Sequence, residues 1–205
     1  MTLEKVALPL DFQMKLPGDV RAFVSEGHKR VADLMDDLRD DPLPSFVPSD
    51  FRMVFIALQA VVDLRLAPGD VFCEWGSGFG VVACMAAMLD FQSYGIEIHE
   101  QLVDEATQLA EDYELPVEFV CGTFIPRGEE AITEEMGSVE YVLDGGRDAY
   151  DELSVDPSDF DLVFAYPWPG GERAIDMLFD RVASRGALLM TYHGVDEIRL
   201  QRKID

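Results

Sequence analysis

Lysine is nearly missing from this chain. Of 205 residues only Lys5, Lys15, Lys29 and Lys203 are lysines, and Lys and Arg together number 16 against 40 Asp and Glu. The formal charge of -24 at pH 7 makes a surface that repels polyanions, which argues against free nucleic acid or an anionic membrane as a partner. One short basic run exists, Arg199-Leu200-Gln201-Arg202-Lys203. A basic protein segment or a small molecule suits such a surface better, and a highly soluble, salt-adapted surface would have the same composition. Cysteine is scarce too. Cys73, Cys84 and Cys121 are odd in number and have no metal-like spacing, so neither a disulfide framework nor a zinc site is expected. No run approaches the roughly 20 apolar residues that a membrane helix needs. Met1 to Lys5 has no basic segment leading into an apolar one. A reducing, cytoplasmic setting is the expectation.

What is present is a hydrophobic content of 48%, enough for one domain with a real core. Residues 1–17 read as an extended arm that packs on something. Val20, Phe23, Val24, Val31, Leu34, Met35 and Leu38 recur at helical spacing, so a helix is predicted from Val20 to about Arg39, capped by Asp19. Pro42 and Pro44 break it. Ser49 or Asp50 caps a second helix from Phe51 to about Leu64. Residues 1–67 are therefore expected to form a helical extension packed on a core of residues 68–205.

From Val71 onward, strands and helices alternate. Strands are predicted at Val71 to Trp75, Ser93 to Ile98, Val117 to Cys121, Asp161 to Tyr166 and Ala187 to Tyr192. Helices are predicted at Gly78 to Asp90, Glu100 to Tyr113 and Glu172 to Ala183. An acidic insertion, about residues 127–158, holds a short helix at Glu129 to Met136 and a strand at Val139 to Leu143. Glu197 to Lys203 reads as a short edge strand. This alternation predicts an α/β fold, Rossmann-like and doubly wound, with a mostly parallel sheet covered by helices on both faces.

The chemistry concentrates in Glu74-Trp75-Gly76-Ser77-Gly78-Phe79-Gly80, a glycine turn between the first of these strands and its helix. Ligands of open parallel sheets bind beyond the carboxyl ends of the strands, at this kind of turn. A dinucleotide turn would read G-x-G-x-x-G and aim a helix N-terminus at a pyrophosphate. Here the spacing differs, and Glu74 would meet a pyrophosphate with like charge. Beside an ammonium it would instead form a charge-assisted hydrogen bond. S-adenosylmethionine carries an amino group and a sulfonium and no phosphate. A nicotinamide-dependent oxidoreductase is the alternative that the glycine spacing and Glu74 disfavour.

The turn resembles the first motif of class I S-adenosylmethionine-dependent methyltransferases, and Tyr94-Gly95-Ile96-Glu97-Ile98 resembles their second. The resemblance spans about residues 46–193 in element order and is sharp over residues 71–98. It implies a methyltransferase acting on a nitrogen or oxygen, with S-adenosyl-L-methionine as cofactor. Glu74 would lie by the methionine moiety, and Gly76, Ser77 and Gly78 would leave room for methionine and ribose. Glu97 would accept from both ribose hydroxyls, and Ile98 would pack on the adenine. Gly122 and Thr123 stand where family members often place an acid for the adenine amino group.

At the end of the fourth core strand, Tyr166-Pro167-Trp168-Pro169 occupies the place of the Asn/Asp-Pro-Pro-aromatic motif of nucleic-acid amino methyltransferases. Tyr166 replaces the Asn or Asp, which argues against that acceptor class. Tyr166 and Trp168 could instead hold an ammonium by cation-π contact, and His193 is a candidate base or substrate contact. Phe46-Val47-Pro48-Ser49-Asp50-Phe51 resembles a segment that lies over the cofactor in lysine methyltransferases of the mitochondrial ATP-synthase-subunit and histone-modifying types. A protein lysine or a small-molecule amine is the preferred acceptor; a non-catalytic cofactor-binding scaffold or partner subunit is the reading from another class. Only about a dozen residues follow His193. The C-terminal strand pair common in the family is therefore expected to be truncated, or its edge supplied by the helical preface or another subunit.

Overall fold

The computed structural model describes residues 2–37, 47–132, 148–194 and 197–205. The strand expected at Val139 to Leu143 and most of the helix expected at Glu129 to Met136 lie outside the described residues. In chain order the elements are β1 (Leu3–Lys5), α1 (Gly18–Asp37), α2 (Phe51–Asp63), β2 (Val71–Trp75), α3 (Val81–Ala87), β3 (Gln92–Glu97), α4 (Glu100–Asp112) and β4 (Val117–Cys121). There follow α5 (Ala149–Leu153), β5 (Leu162–Ala165), α6 (Glu172–Val182), β6 (Leu188–Tyr192) and β7 (Ile198–Lys203). None of the described helices is long and apolar enough to cross a membrane.

One seven-stranded sheet has the order β1-β7-β6-β5-β2-β3-β4. The five strands β4, β3, β2, β5 and β6 are parallel to their neighbours, while β7 runs antiparallel to both β6 and β1. The fold is the doubly wound α/β arrangement that the alternation predicts. Residue parity along each strand decides which layer a side chain joins. Phe72, Phe164, Leu188 and Met190 pack under α1 to α4. Cys73, Trp75, Val163, Ala165 and Leu189 pack on the opposite face with α5 and α6. Glu74 falls by the same parity on the α3 side. Its presence in an otherwise apolar strand therefore needs a local partner.

At the sheet edge one expectation is corrected and one alternative holds: β7 is not the edge, and the edge is supplied by the N-terminal preface, not by truncation or another subunit. Leu3, Glu4 and Lys5 pair with Lys203, Arg202 and Gln201, so the N-terminal arm supplies the outermost strand of its own chain. Thr2 fastens this strand to α6, with its backbone N–H and hydroxyl both donating to Asp180 Oδ1 at 2.7 and 2.6 Å. Beyond β1, Arg52 of α2 donates to the carbonyls of Phe12 and Met14 and holds the arm against the helical layer. The arm thus packs as the scattered apolar residues imply, through Val6, Leu8, Leu10, Met14 and Leu16.

Local starts also differ. Asp50, not Ser49, caps α2 by accepting from Met53 N at 3.0 Å. α1 begins at Gly18, which puts Asp19 inside its first turn rather than at the cap. α3 begins at Val81, because Gly76, Gly78 and Gly80 all take positive φ and the turn runs three residues longer than predicted.

Candidate cofactor and acceptor site

The chain leaves β2, builds outward through β3 and β4, then returns to add β5 and β6 on the other side of β2. Where that order reverses, the loops after β2 and β5 part and leave a crevice. A cavity of about 440 Å³ lies there, reached by the ends of β2, β3, β5 and β6 and by residues Val47 to Ser49 just ahead of α2.

The glycine turn forms its floor. A Cβ at Gly80 would run into the Phe119 ring, and φ is +66° there, so crowding and backbone conformation both require glycine. At Gly76 (φ +73°) a Cβ would meet nothing within 4 Å; the backbone alone demands glycine, and the space above it is cavity. Ser77 lines the cavity with 5% of its surface exposed, and its hydroxyl has no protein partner. A buried hydroxyl left in this way loses a hydrogen bond that a bound ligand can restore.

Glu97 ends β3 and is buried. Its Oε2 accepts from Gly78 N at 2.9 Å, and its Oε1 accepts from Ile98 N and His99 N at 2.9 and 3.1 Å. One carboxylate therefore ties the glycine turn to the start of α4. Glu74 finds its partner in α3, where Ala83 N donates to Oε2 at 2.9 Å. Burial drives the Glu74 carboxyl well above the ordinary carboxylate range. The Ala83 N–H works against this, and the Glu97 charge adds to it.

Tyr166, Trp168 and His193, expected at the acceptor end, all line the same cavity. Tyr166 meets Tyr192 edge to face, with ring centroids 4.9 Å apart. The His193 ring nitrogen Nε2 lies 2.8 Å from Thr191 Oγ1. Burial and then the nearby Arg199 lower the His193 pKa below its usual value, while Glu197 and Glu172 pull it upward. Ile98 and Thr123 also face the cavity. The Thr123 hydroxyl accepts from Ile125 N at 3.1 Å, which occupies it locally. Gly122 is not among the lining residues; its N–H donates to the Glu97 carbonyl and extends the β3–β4 pairing by one step.

Sequence reasoning missed Phe124 and Glu172. Phe124 stacks on Trp75 at 5.4 Å and closes one wall. Glu172 begins α6 and accepts from Gly170 N at 2.9 Å. Its place directly after the Tyr166 to Gly171 loop was the available signal. Among the described residues that line the cavity there are three glutamates and neither a lysine nor an arginine.

No protein-family model and no curated protein matches the sequence. Solved structures do match. An O-methyltransferase from Bacillus cereus in complex with SAH is similar over 88% of this chain and 68% of its own, with 15% identity and a TM-score of 0.53. A methyltransferase from Geobacter sulfurreducens matches over 93% of both chains at 12% identity and a TM-score of 0.52. An RNA methyltransferase from Salinibacter ruber, in complex with S-adenosyl-L-homocysteine, matches over 76% of this chain and 92% of its own, with 19% identity and a TM-score of 0.51. The chain has the fold of the S-adenosylmethionine-dependent methyltransferases.

Proposed function

We propose that this chain is an S-adenosylmethionine-dependent methyltransferase acting on a nitrogen or oxygen, with a protein lysine or a small-molecule amine as the preferred acceptor. The observation that carries the reading is the acidic make-up of the cavity lining. Glu74 and Glu97 flank a glycine turn whose Ser77 hydroxyl lacks a partner, and among the described lining residues there is no lysine or arginine to meet a pyrophosphate. These residues fit an aminoacyl sulfonium and do not fit a dinucleotide. The site's place in the fold of the similar methyltransferases supports the same reading.

When bound, the cofactor supplies a methyl group made electrophilic by its sulfonium. The residues of this chain have three tasks. Glu97 accepts from the ribose hydroxyls through lone pairs left beyond its three backbone donors. Gly76, Ser77 and Glu74 receive the methionine portion. The aromatic wall of Tyr166, Trp168 and Phe124 keeps water from the reacting atoms and aligns the acceptor, and such positioning supplies much of the rate once the acceptor nitrogen has lost its proton. His193, held beside Thr191, serves in this reading as the base or a substrate contact at the acceptor. Residues 1–67 act as an extension that brings Val47 to Ser49 to the cavity wall, over a core of residues 68–205.

A scaffold that binds the cofactor without catalysis is the second reading, favoured by the Tyr166 side chain where amino methyltransferases of nucleic acids carry Asn or Asp. Incubation with methyl-labelled S-adenosylmethionine and a panel of basic proteins, peptides and amines separates the two. Labelled product supports the enzyme; saturable binding with no transfer to any of the panel supports the scaffold.

A further inference from the structure

The three cavity carboxylates divide into two groups. Glu74 and Glu97 lie at the ends of β2 and β3 and belong to the cofactor half. Glu172 stands across from them on α6, together with Tyr166, Trp168 and His193. Its Oε2 is fixed by the Gly170 N–H at 2.9 Å, so the loop orients the carboxylate. Its charge reaches His193, whose imidazole it pulls toward protonation against the larger effect of burial. Glu172 is only partly buried and Tyr166 and Trp168 are half-buried, so this half of the cavity opens to solvent through acidic and aromatic groups.

The position of Glu172 has an electrostatic consequence. The first turn of a helix carries partial positive charge and attracts anions. With Glu172 in that turn of α6, the loop end presents a carboxylate in place of bare N–H groups. An anion entering here would meet this carboxylate and, deeper in, Glu97, with no lysine or arginine on the described walls to offset them. An ammonium entering here loses part of its hydration but gains a fixed carboxylate and two aromatic side chains on the cavity wall, the residue types that hold cations by cation-π contact.

We propose that the acceptor half of the cavity selects a cation, a primary or partly methylated ammonium group on an alkyl stem, with Glu172 as the specificity-determining residue and Tyr166 and Trp168 as its walls. The inference rests on the methyltransferase reading and deepens it. It assigns to one carboxylate the discrimination against neutral alcohols and against carboxylate- or phosphate-bearing acceptors.

The test uses the full chain saturated with S-adenosylhomocysteine, whose binding is measured first. Absence of that binding would remove the methyltransferase reading itself, and this inference with it. With it bound, butylammonium, butanol and butyrate are titrated separately by ligand-detected NMR. The expected result is saturable butylammonium binding at least tenfold tighter than butanol, and none for butyrate. In Glu172→Gln, whose amide oxygen still accepts from Gly170 N, the tenfold preference is expected to collapse while S-adenosylhomocysteine affinity stays within twofold. Equal or tighter binding of butanol or butyrate, no butylammonium binding, or an unchanged preference in Glu172→Gln would overturn the proposal and leave the methyltransferase reading standing.

Discussion

The backbone N–H of Gly78 donates to Glu97 Oε2 at 2.9 Å, joining the turn after β2 to the end of β3. The same carboxylate accepts from Ile98 and His99 through its other oxygen. Glu97 thereby shapes the turn as well as facing the cavity, and the two roles cannot be separated by substitution. Glu97→Ala is expected to weaken S-adenosylhomocysteine binding by about 1 to 3 kcal/mol, the scale of lost charged hydrogen bonds, and to lower the thermal midpoint of the unliganded protein. Glu97→Gln should not rescue both, because an amide supplies one acceptor oxygen where backbone donors face two. Calorimetric titration and thermal unfolding check this; unchanged affinity in the alanine variant would refute the ribose assignment.

Glu74 gives a pH dependence with a definite sign. Burial, reinforced by Glu97 and opposed by the Ala83 N–H, holds its native pKa well above the ordinary carboxyl value. The native state therefore binds this proton more tightly than the unfolded chain. The associated stability is fully present below the unfolded carboxyl pKa and is lost as pH rises through the elevated native value. Glu74→Gln, whose amide oxygen can still accept from Ala83 N, should flatten the fall of the thermal midpoint between weakly acidic and alkaline pH. It should also weaken cofactor binding. Midpoints measured across that range for both proteins decide the matter, and parallel curves would count against it.

The N-terminal strand makes a third prediction. β1 covers the edge of β7 and is pinned by Thr2 to Asp180. Removing residues 1–6 exposes a strand edge, and exposed edges invite pairing between molecules. The truncated chain should melt at a lower temperature and scatter more light at high concentration, and Asp180→Ala should do the same to a smaller degree. Identical melting and scattering of truncated and full chains would show that the strand is dispensable.

These elements also mark where the sequence could and could not be read. The central parallel strands were legible as short, largely buried runs bounded by turn residues, as in Val71 to Trp75, while β4 at the sheet edge, with Glu118 exposed, was legible from its alternation with the helices. The glycine turn was legible because Glu74, Gly76, Gly78 and Glu97 combine charge and spacing in a way few other structures need. β1 was not. Leu3, Glu4 and Lys5 are half-buried or exposed, so no apolar alternation marks them, and their pairing with residues almost 200 positions away is a property of the closed sheet. Glu172 was missed although its place after the Tyr166 to Gly171 loop was a signal, because its sharing of one cavity with His193 is a property of the closed sheet. The start of α3 was set too early because the three positive-φ glycines delay the helix.

Gly80 gives a fourth, purely structural prediction. Its positive φ and the Phe119 ring lying against it make Gly80→Ala destabilising by about 1 to 3 kcal/mol, the usual cost of a strained backbone position. Chemical denaturation measures this directly. A neutral effect would mean that the turn relaxes freely, and the floor of the cavity with it.

The central claim is that the acidic glycine turn holds an aminoacyl sulfonium nucleoside and not a dinucleotide. Calorimetric titration of the intact chain with S-adenosylhomocysteine and, separately, with NAD tests it most directly. Saturable one-to-one binding of S-adenosylhomocysteine that weakens in Glu97→Ala is expected, with no heat from NAD. Tight NAD binding with no response to S-adenosylhomocysteine would contradict it.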